Sequence, residues 1–290
     1  MPYGPDGGAV VNTCYRHPDR PTGLRCARCG RPACPECLRE AAVGFQCVEC
    51  VHAGQRDVRR PTTMAGATRT GGRPIVTEVL VALNVVVFAI SAVLAQSLFQ
   101  NQASALFARL TLFPLAVADG QWYRLVSSAF LHFGPVHIAL NMYALYVLGR
   151  ELESVLGRGR YVAVYLVSLL GGSASVMVFQ SPFEASAGAS GAVFGVLGGL
   201  AVVIFRLKRN PTAVLAVIAI NLVFSVAVPN ISLSAHLGGL VVGAAATAAI
   251  VWAPARSRTP VQVGALVALS LALVVVIVVR ALSLRAQVGL

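Results

Sequence analysis

The chain has 290 residues, of which 57% are hydrophobic and only 12% charged, and its mean hydropathy is +0.74. That composition excludes an ordinary soluble domain. The formal net charge of +12 is unevenly placed: 11 of the 23 Lys and Arg lie in residues 1–74. Beyond them the only acids are Glu78, Asp119, Glu151, Glu153 and Glu184, so a basic head precedes a membrane body. A cytoplasmic excess of base explains this charge, and no nucleic acid is expected as a partner. One Lys against 22 Arg points to a G+C-rich, bacterial genome.

Residues 1–12 read as a flexible lead, polar and rich in Gly and Pro, without the apolar stretch of a signal peptide. All seven Cys fall between Cys14 and Cys50. In a reducing cytoplasm, clustered Cys bind metal more often than they form disulfides. The ligand pairs are Cys14 with His17, Cys26 with Cys29, Cys34 with Cys37 and Cys47 with Cys50. Each pair has knuckle spacing, and together they supply enough donors for two tetrahedral Zn²⁺ ions. Residues 13–52 hold few large apolar side chains, so metal has to supply the folding energy. Complete ligand sets leave no open position, so both ions are structural and none serves catalysis. A redox role is weaker, because four pairs exceed what a dithiol switch needs. The head is therefore expected to bind or regulate, with a protein partner that nothing in the chain identifies.

Residues 53–74 carry Arg56, Arg59, Arg60, Arg69 and Arg73 among Gly, Thr and Pro. This is a basic linker suited to anionic lipid headgroups, or simply a solvated tether. Apolar runs follow near 76–99, 134–150, 160–180, 189–206, 211–229, 233–253 and 261–282. A span needs about 20 helical residues, so seven crossings are expected. Basic turns at Arg150, Arg158 and Arg160, at Arg206, Lys208 and Arg209, and at Arg256 and Arg258 alternate with turns poor in base. The positive-inside rule then places the N-terminus in the cytoplasm and the C-terminus outside, in a bacterial plasma membrane.

Under that orientation, Ser190 and His236 both begin helices entering from the outer face. A serine and a histidine at matching depth can form a nucleophile and its base. Gly191 and Gly195, and Gly239 and Gly243, make GxxxG spacings that let the fourth and sixth spans approach closely. On the second span, His137 and Asn141 are four apart and share a face. Side-chain donors so placed can hold an oxyanion. Glu151 and Glu153 read as an ion-pair cluster with Arg150, Arg158 and Arg160. Trp122 and Tyr123 read as interfacial anchors, and Asn84 and Asn221 as interhelical hydrogen bonds.

The ordered strings HFGPVHIALN (132–141), GASGAVFG (188–195) and SAHLGGLVVG (234–243), with GQWYRL (120–125) before them, resemble the rhomboid family of intramembrane serine proteases. The resemblance covers roughly residues 75–255. It implies an all-α polytopic membrane protein with a rhomboid-like six-helix core, here followed by a seventh C-terminal transmembrane helix and tail over 256–290. Carried over position by position, it implies Ser190 as nucleophile and His236 as general base. It implies His137 and Asn141, with the Ser190 backbone N–H, as the oxyanion hole. His132 would brace the first loop, Phe194 would pack beneath His236, and Gly188 would let the chain approach the nucleophile. The implied substrates are transmembrane segments of membrane proteins within the lipid bilayer, unwound locally before they are cut.

Residues 13–52 in turn resemble a B-box-type zinc finger. That resemblance implies interleaved pairs: Cys14, His17, Cys34 and Cys37 on one ion, and Cys26, Cys29, Cys47 and Cys50 on the other. His52 is a spare donor, and sequential pairing stays open. The competing reading of the whole chain is a proteolytically inactive rhomboid-like protein that binds or escorts membrane helices. A transporter would instead carry polar residues along whole spans.

Overall fold

The computed structural model describes residues 12–57, 62–67, 73–228 and 231–289. The flexible lead expected over 1–12, except residue 12, lies outside them. So do Arg59, Arg60 and Arg69 of the linker. The chain divides into two compact units, Met1–Arg60 and Pro61–Leu290.

The first unit is two small hairpins and a helix. Strands β1 (Thr13–Cys14) and β2 (His17–Pro21) pair antiparallel with Cys14 opposite His17. Strands β3 (Leu38–Glu40) and β4 (Phe45–Cys47) pair with Leu38 opposite Cys47. Helix α1 (Val48–Asp57) follows. The buried side chains here are mostly the cysteines, with Ala33, Leu38 and the half-buried Tyr15. Such a core is too small to hold two-stranded hairpins together unaided.

The second unit is helical. Helix α2 (Ile75–Ala95) is followed by the short helices α3 (Ala105–Leu110), α4 (Pro114–Ala118) and α5 (Arg124–Ser127). Then come α6 (Gly134–Leu156), α7 (Arg158–Phe179), α8 (Ser190–Arg206), α9 (Thr212–Ala227), α10 (Leu233–Val251) and α11 (Arg258–Val288). The seven expected runs are all helical. By length and composition four helices can cross a membrane, or five if the α5–α6 pair, bent by 94°, is one span. Helices α8 and α9, apolar and with 17 and 16 residues, sit at the short end of what a crossing needs. The segment 100–131, expected as a turn poor in base, holds α3, α4 and α5.

Helix α8 is the centre of this unit, with most of its side chains buried between neighbouring helices. Its glycines allow the close approach expected from the two GxxxG spacings. A β-carbon at Gly239 would collide with the Gly191 backbone, and one at Gly243 with the Gly195 backbone. The seam between α8 and α10 is therefore backbone against backbone. Helix α11 lies along α7 and α4, burying Ile277, Ala281 and Leu284 beside Leu112, Val117 and Met177. Gln262 anchors its start, donating to Ile250 O at 2.9 Å and Ala65 O at 3.2 Å while accepting from Arg160 Nε at 2.7 Å.

Two expectations are corrected. The acidic pair does not form one ion-pair cluster. Glu153 is buried and accepts hydrogen bonds from Val76 N (3.1 Å), Thr77 N (2.9 Å) and Thr77 Oγ1 (2.8 Å). It thus caps the otherwise unpaired N–H groups at the start of α2. Arg158 approaches it only to 4.0 Å, while Glu151 meets exposed Arg150 at 3.8 Å. Asn221 bridges no helices, whereas the buried Asn84 also faces the Tyr165 hydroxyl of α7. Each amide donates to a carbonyl four residues back on its own helix, Leu80 O at 2.7 Å and Val217 O at 2.8 Å. A carbonyl one turn away is simply the nearest acceptor.

Candidate active site and metal centres

Ser190 is the first residue of α8. Gly188, just before it, has φ +138°, a conformation that side-chain-bearing residues rarely adopt, and its N–H donates to Ser128 O at 3.0 Å. A β-carbon on Gly188 would lie 3.0 Å from His137 Cε1, 3.1 Å from His137 Nε2 and 3.5 Å from Ser190 Oγ. The bare α-carbon thus brings the His137 ring and the Ser190 hydroxyl to one place. The Ser190 N–H opens the helix and so has no partner within it.

The orientation of His137 follows from its hydrogen bond. Phe133 N donates to His137 Nδ1 at 3.1 Å. A backbone N–H can only donate, so Nδ1 accepts and the neutral ring carries its proton on Nε2, on the Gly188 side. Asn141, one turn further along α6, is buried and donates to His137 O at 3.0 Å. His132 is fully buried with its ring edge-on to His137 at 5.2 Å.

His236 lies in the first turn of α10 and is buried. The Phe194 ring is stacked on it, with centroids 4.1 Å apart and planes at 12°. Nδ1 lies 2.6 Å from Ser225 Oγ on α9. The neighbours of the two residues fix their common level: a β-carbon on Gly191 would lie 3.3 Å from Ala235 O. Among the described residues no hydrogen bond joins Ser190 to His236. Between the end of α7 and the start of α10 a cavity of about 680 Å³ is lined by Phe133, Gln180, Glu184, Ser232, Ser234 and Leu237, among others.

Two residues of the site escaped the sequence reading. Asn101 donates to His132 O at 2.8 Å and accepts from Gly134 N at 2.9 Å, clamping the entry to α6. Ser225 is the other. Both are single polar residues whose partners are remote in sequence, so no local pattern announces them. In the GQWYRL string, Arg124 is the structural member. It is buried and donates to Gln121 Oε1 at 2.7 Å, Ala108 O at 2.9 Å and Thr111 O, while Trp122 and Tyr123 are exposed.

Residues 119–253 match the Rhomboid domain family. The rhomboid-type protein YdcA of Bacillus subtilis (strain 168) is 32% identical over 136 residues, covering 45% of this chain and 68% of that protein. The chain belongs to the rhomboid family. Rhomboid protease GluP of Bacillus subtilis (strain 168) is 37% identical over 184 residues, 62% of this chain and 35% of that protein. Rhomboid protease AarA of Providencia stuartii is 26% identical over 217 residues, 64% of this chain and 76% of that protein. This rhomboid thus matches only about a third of the length of GluP. With its long apolar helices, it is an integral membrane protein.

In the first unit the eight donors form two groups: Cys14, His17, Cys34 and Cys37, and Cys26, Cys29, Cys47 and Cys50. Within each group all ligand atoms lie within 4.8 Å of one another. The pairs are interleaved, not sequential. His17 Nδ1 sits 3.4 Å from Cys37 Sγ and 3.5 Å from Cys34 Sγ. Burial pushes the Cys14 thiol up, but backbone N–H groups from Cys34, Arg16 and His17 outweigh it and bring it down to about 6. Cys37 of the same group goes the other way, pushed up to about 11 by burial and the neighbouring thiols. These sets could each hold one metal ion.

Proposed function

We propose that this rhomboid is an intramembrane serine endopeptidase that cuts transmembrane segments of membrane proteins with a Ser190–His236 dyad. The observation that carries the reading is the convergence at Gly188: an oriented His137 Nε2–H and the Ser190 hydroxyl border one small space. A nucleophile needs a donor aimed where negative charge develops.

Residues 75–255 form the protease core in this reading, and the cavity between the end of α7 and the start of α10 receives the unwound substrate. His236 takes the Ser190 proton as Ser190 Oγ attacks the scissile carbonyl. The oxyanion is held by His137 Nε2–H, the Ser190 N–H and the Asn141 amide. His236 then returns the proton to the leaving amine, and water hydrolyses the acyl-enzyme by the same route. The stacked Phe194 holds the imidazole plane, and Gly188 keeps the approach open.

The metal in the first unit is Zn²⁺. A Cys₃His set and a Cys₄ set, closed and thiolate-rich, suit Zn²⁺ in a structural role. The unit lies in the cytoplasm, the side to which the Arg-rich turns also belong. Its role is to dock a protein partner, not to catalyse.

Labelling with a fluorophosphonate tests the dyad. Wild type is expected to be labelled at Ser190, and His236→Ala to be labelled far more slowly. Labelling at another residue would overturn the Ser190–His236 assignment, and no labelling in wild type would leave the inactive, helix-binding reading.

A further inference from the structure

Ser225 has no part in the dyad, yet it is buried inside an apolar helix and points at the proposed base. Its Oγ lies 2.6 Å from His236 Nδ1 and 2.6 Å from Asn221 O, one turn earlier on α9. From these two distances we propose that Ser225 is a positioning residue that fixes the tautomer of His236. The proposal rests on the protease reading above.

A hydroxyl has one hydrogen to give. The Asn221 carbonyl can only accept, so the bond to it takes the Ser225 proton. The contact with His236 must then run the other way, Nδ1–H donating to Ser225 Oγ. A neutral imidazole with its proton on Nδ1 carries its lone pair on Nε2. That nitrogen has no partner among the described residues, and it is the one left to accept the Ser190 proton. Had Ser225 donated to Nδ1 instead, Nε2 would hold a proton and could not act as base.

The two histidines are thus set in opposite states by their neighbours. His137 receives an N–H at Nδ1 and offers Nε2–H as a donor. His236 gives Nδ1–H to Ser225 and keeps Nε2 open as an acceptor. During catalysis the proton from Ser190 Oγ moves to His236 Nε2 and later to the leaving amine. Nδ1–H stays on Ser225 throughout, and the Ser225–Asn221 dipoles face the imidazolium while it exists. An acid would do this more strongly. No Asp or Glu follows Glu184 in the chain, so the hydroxyl is the polar group α9 provides.

The test compares wild type, Ser225→Ala and Ser225→Thr by cleavage of a single-span substrate in proteoliposomes. Nitrogen-15 spectra of labelled histidine are recorded in detergent, with His236 assigned by loss of its signals in His236→Ala. Wild type is expected to show a protonated Nδ1 and a bare Nε2 at His236. Ser225→Ala should mix the two tautomers and lower kcat about five- to twentyfold, the worth of one hydrogen bond that orients a base. KM should stay within about twofold, and Ser225→Thr should restore both readouts. A wild-type Nε2–H, or a Ser225→Ala variant with unchanged kcat and nitrogen shifts, would overturn the proposal. So would equal losses in Ala and Thr with unchanged shifts, which would mark a packing role. If wild type cleaves nothing, the protease reading falls, and the nitrogen spectrum alone decides whether Ser225 sets the tautomer.

Discussion

Phe194 lies flat against His236, one turn into α8 facing the first turn of α10, with ring centroids 4.1 Å apart and planes at 12°. The two helices can present these rings at stacking distance because their backbones touch at Gly191 and Gly239, a few residues away. Replacing Phe194 with Ala should free the imidazole to tilt. An aromatic pair contributes about 0.5–1.5 kcal/mol beyond its burial, so kcat should fall roughly three- to tenfold. Phe194→Tyr keeps the stack and should stay close to wild type. Steady-state cleavage of one substrate by the three proteins checks this.

His137 and Asn141 should not contribute equally. His137 Nε2–H is on the Gly188 side, beside Ser190, whereas the Asn141 amide already donates to His137 O. Removing a well-aimed oxyanion donor costs about 10²–10³ in kcat. His137→Ala is expected to show that loss and Asn141→Ala a smaller one. Comparing kcat for both variants gives the ranking, and a larger loss in Asn141→Ala would contradict it.

The α8–α10 seam tolerates no side chain at its contact glycines. Gly239→Ala and Gly243→Ala each place a methyl group onto backbone of the facing helix. Overpacking of this kind costs about 1–3 kcal/mol, and backbone cannot swing aside as a side chain can. Thermal unfolding in detergent should begin several degrees lower for both variants. Gly264→Ala, inside α11 where nothing lies within 4 Å, should not lower the transition and should raise it slightly, because Ala is the better helix former.

The purified protein should carry two Zn²⁺ per chain by elemental analysis. Cys34→Ser should lower the count by about one and leave the Cys26, Cys29, Cys47 and Cys50 set filled, because the two sets share no ligand. Chelation should release both ions and abolish the order of residues 12–57, since metal supplies that unit's folding energy. Protease protection of the head before and after chelation reads the second effect.

Much of this arrangement was legible in the sequence, and for a stated reason. Knuckle spacing and GxxxG spacing are short-range patterns, and each imposes one local geometry. Spacing marks the four ligand pairs and the α8–α10 seam, while the interleaving of the pairs is what the B-box resemblance implies, since spacing alone leaves sequential pairing open. The matched level of Ser190 and His236 followed from counting apolar runs and Arg-rich turns. What stayed hidden depends on contacts between remote segments. Glu153 caps a helix that starts 78 residues earlier in the chain at Ile75. Asn101 grips His132 and Gly134 from the short 3-10 turn that follows α2. Ser225 meets His236 across a helix boundary, and as one serine among apolar residues it looked like any other. Asn221 differs from the expectation because its exposed amide finds a carbonyl one turn back on its own helix.

The measurement that bears most directly on the account is cleavage of a single-span substrate by purified protein in proteoliposomes. Wild type is compared with Ser190→Ala and His236→Ala. The account predicts cleavage within the span by wild type and none above background by either variant. Cleavage that persists in Ser190→Ala, or its absence in wild type across several substrates, would contradict it.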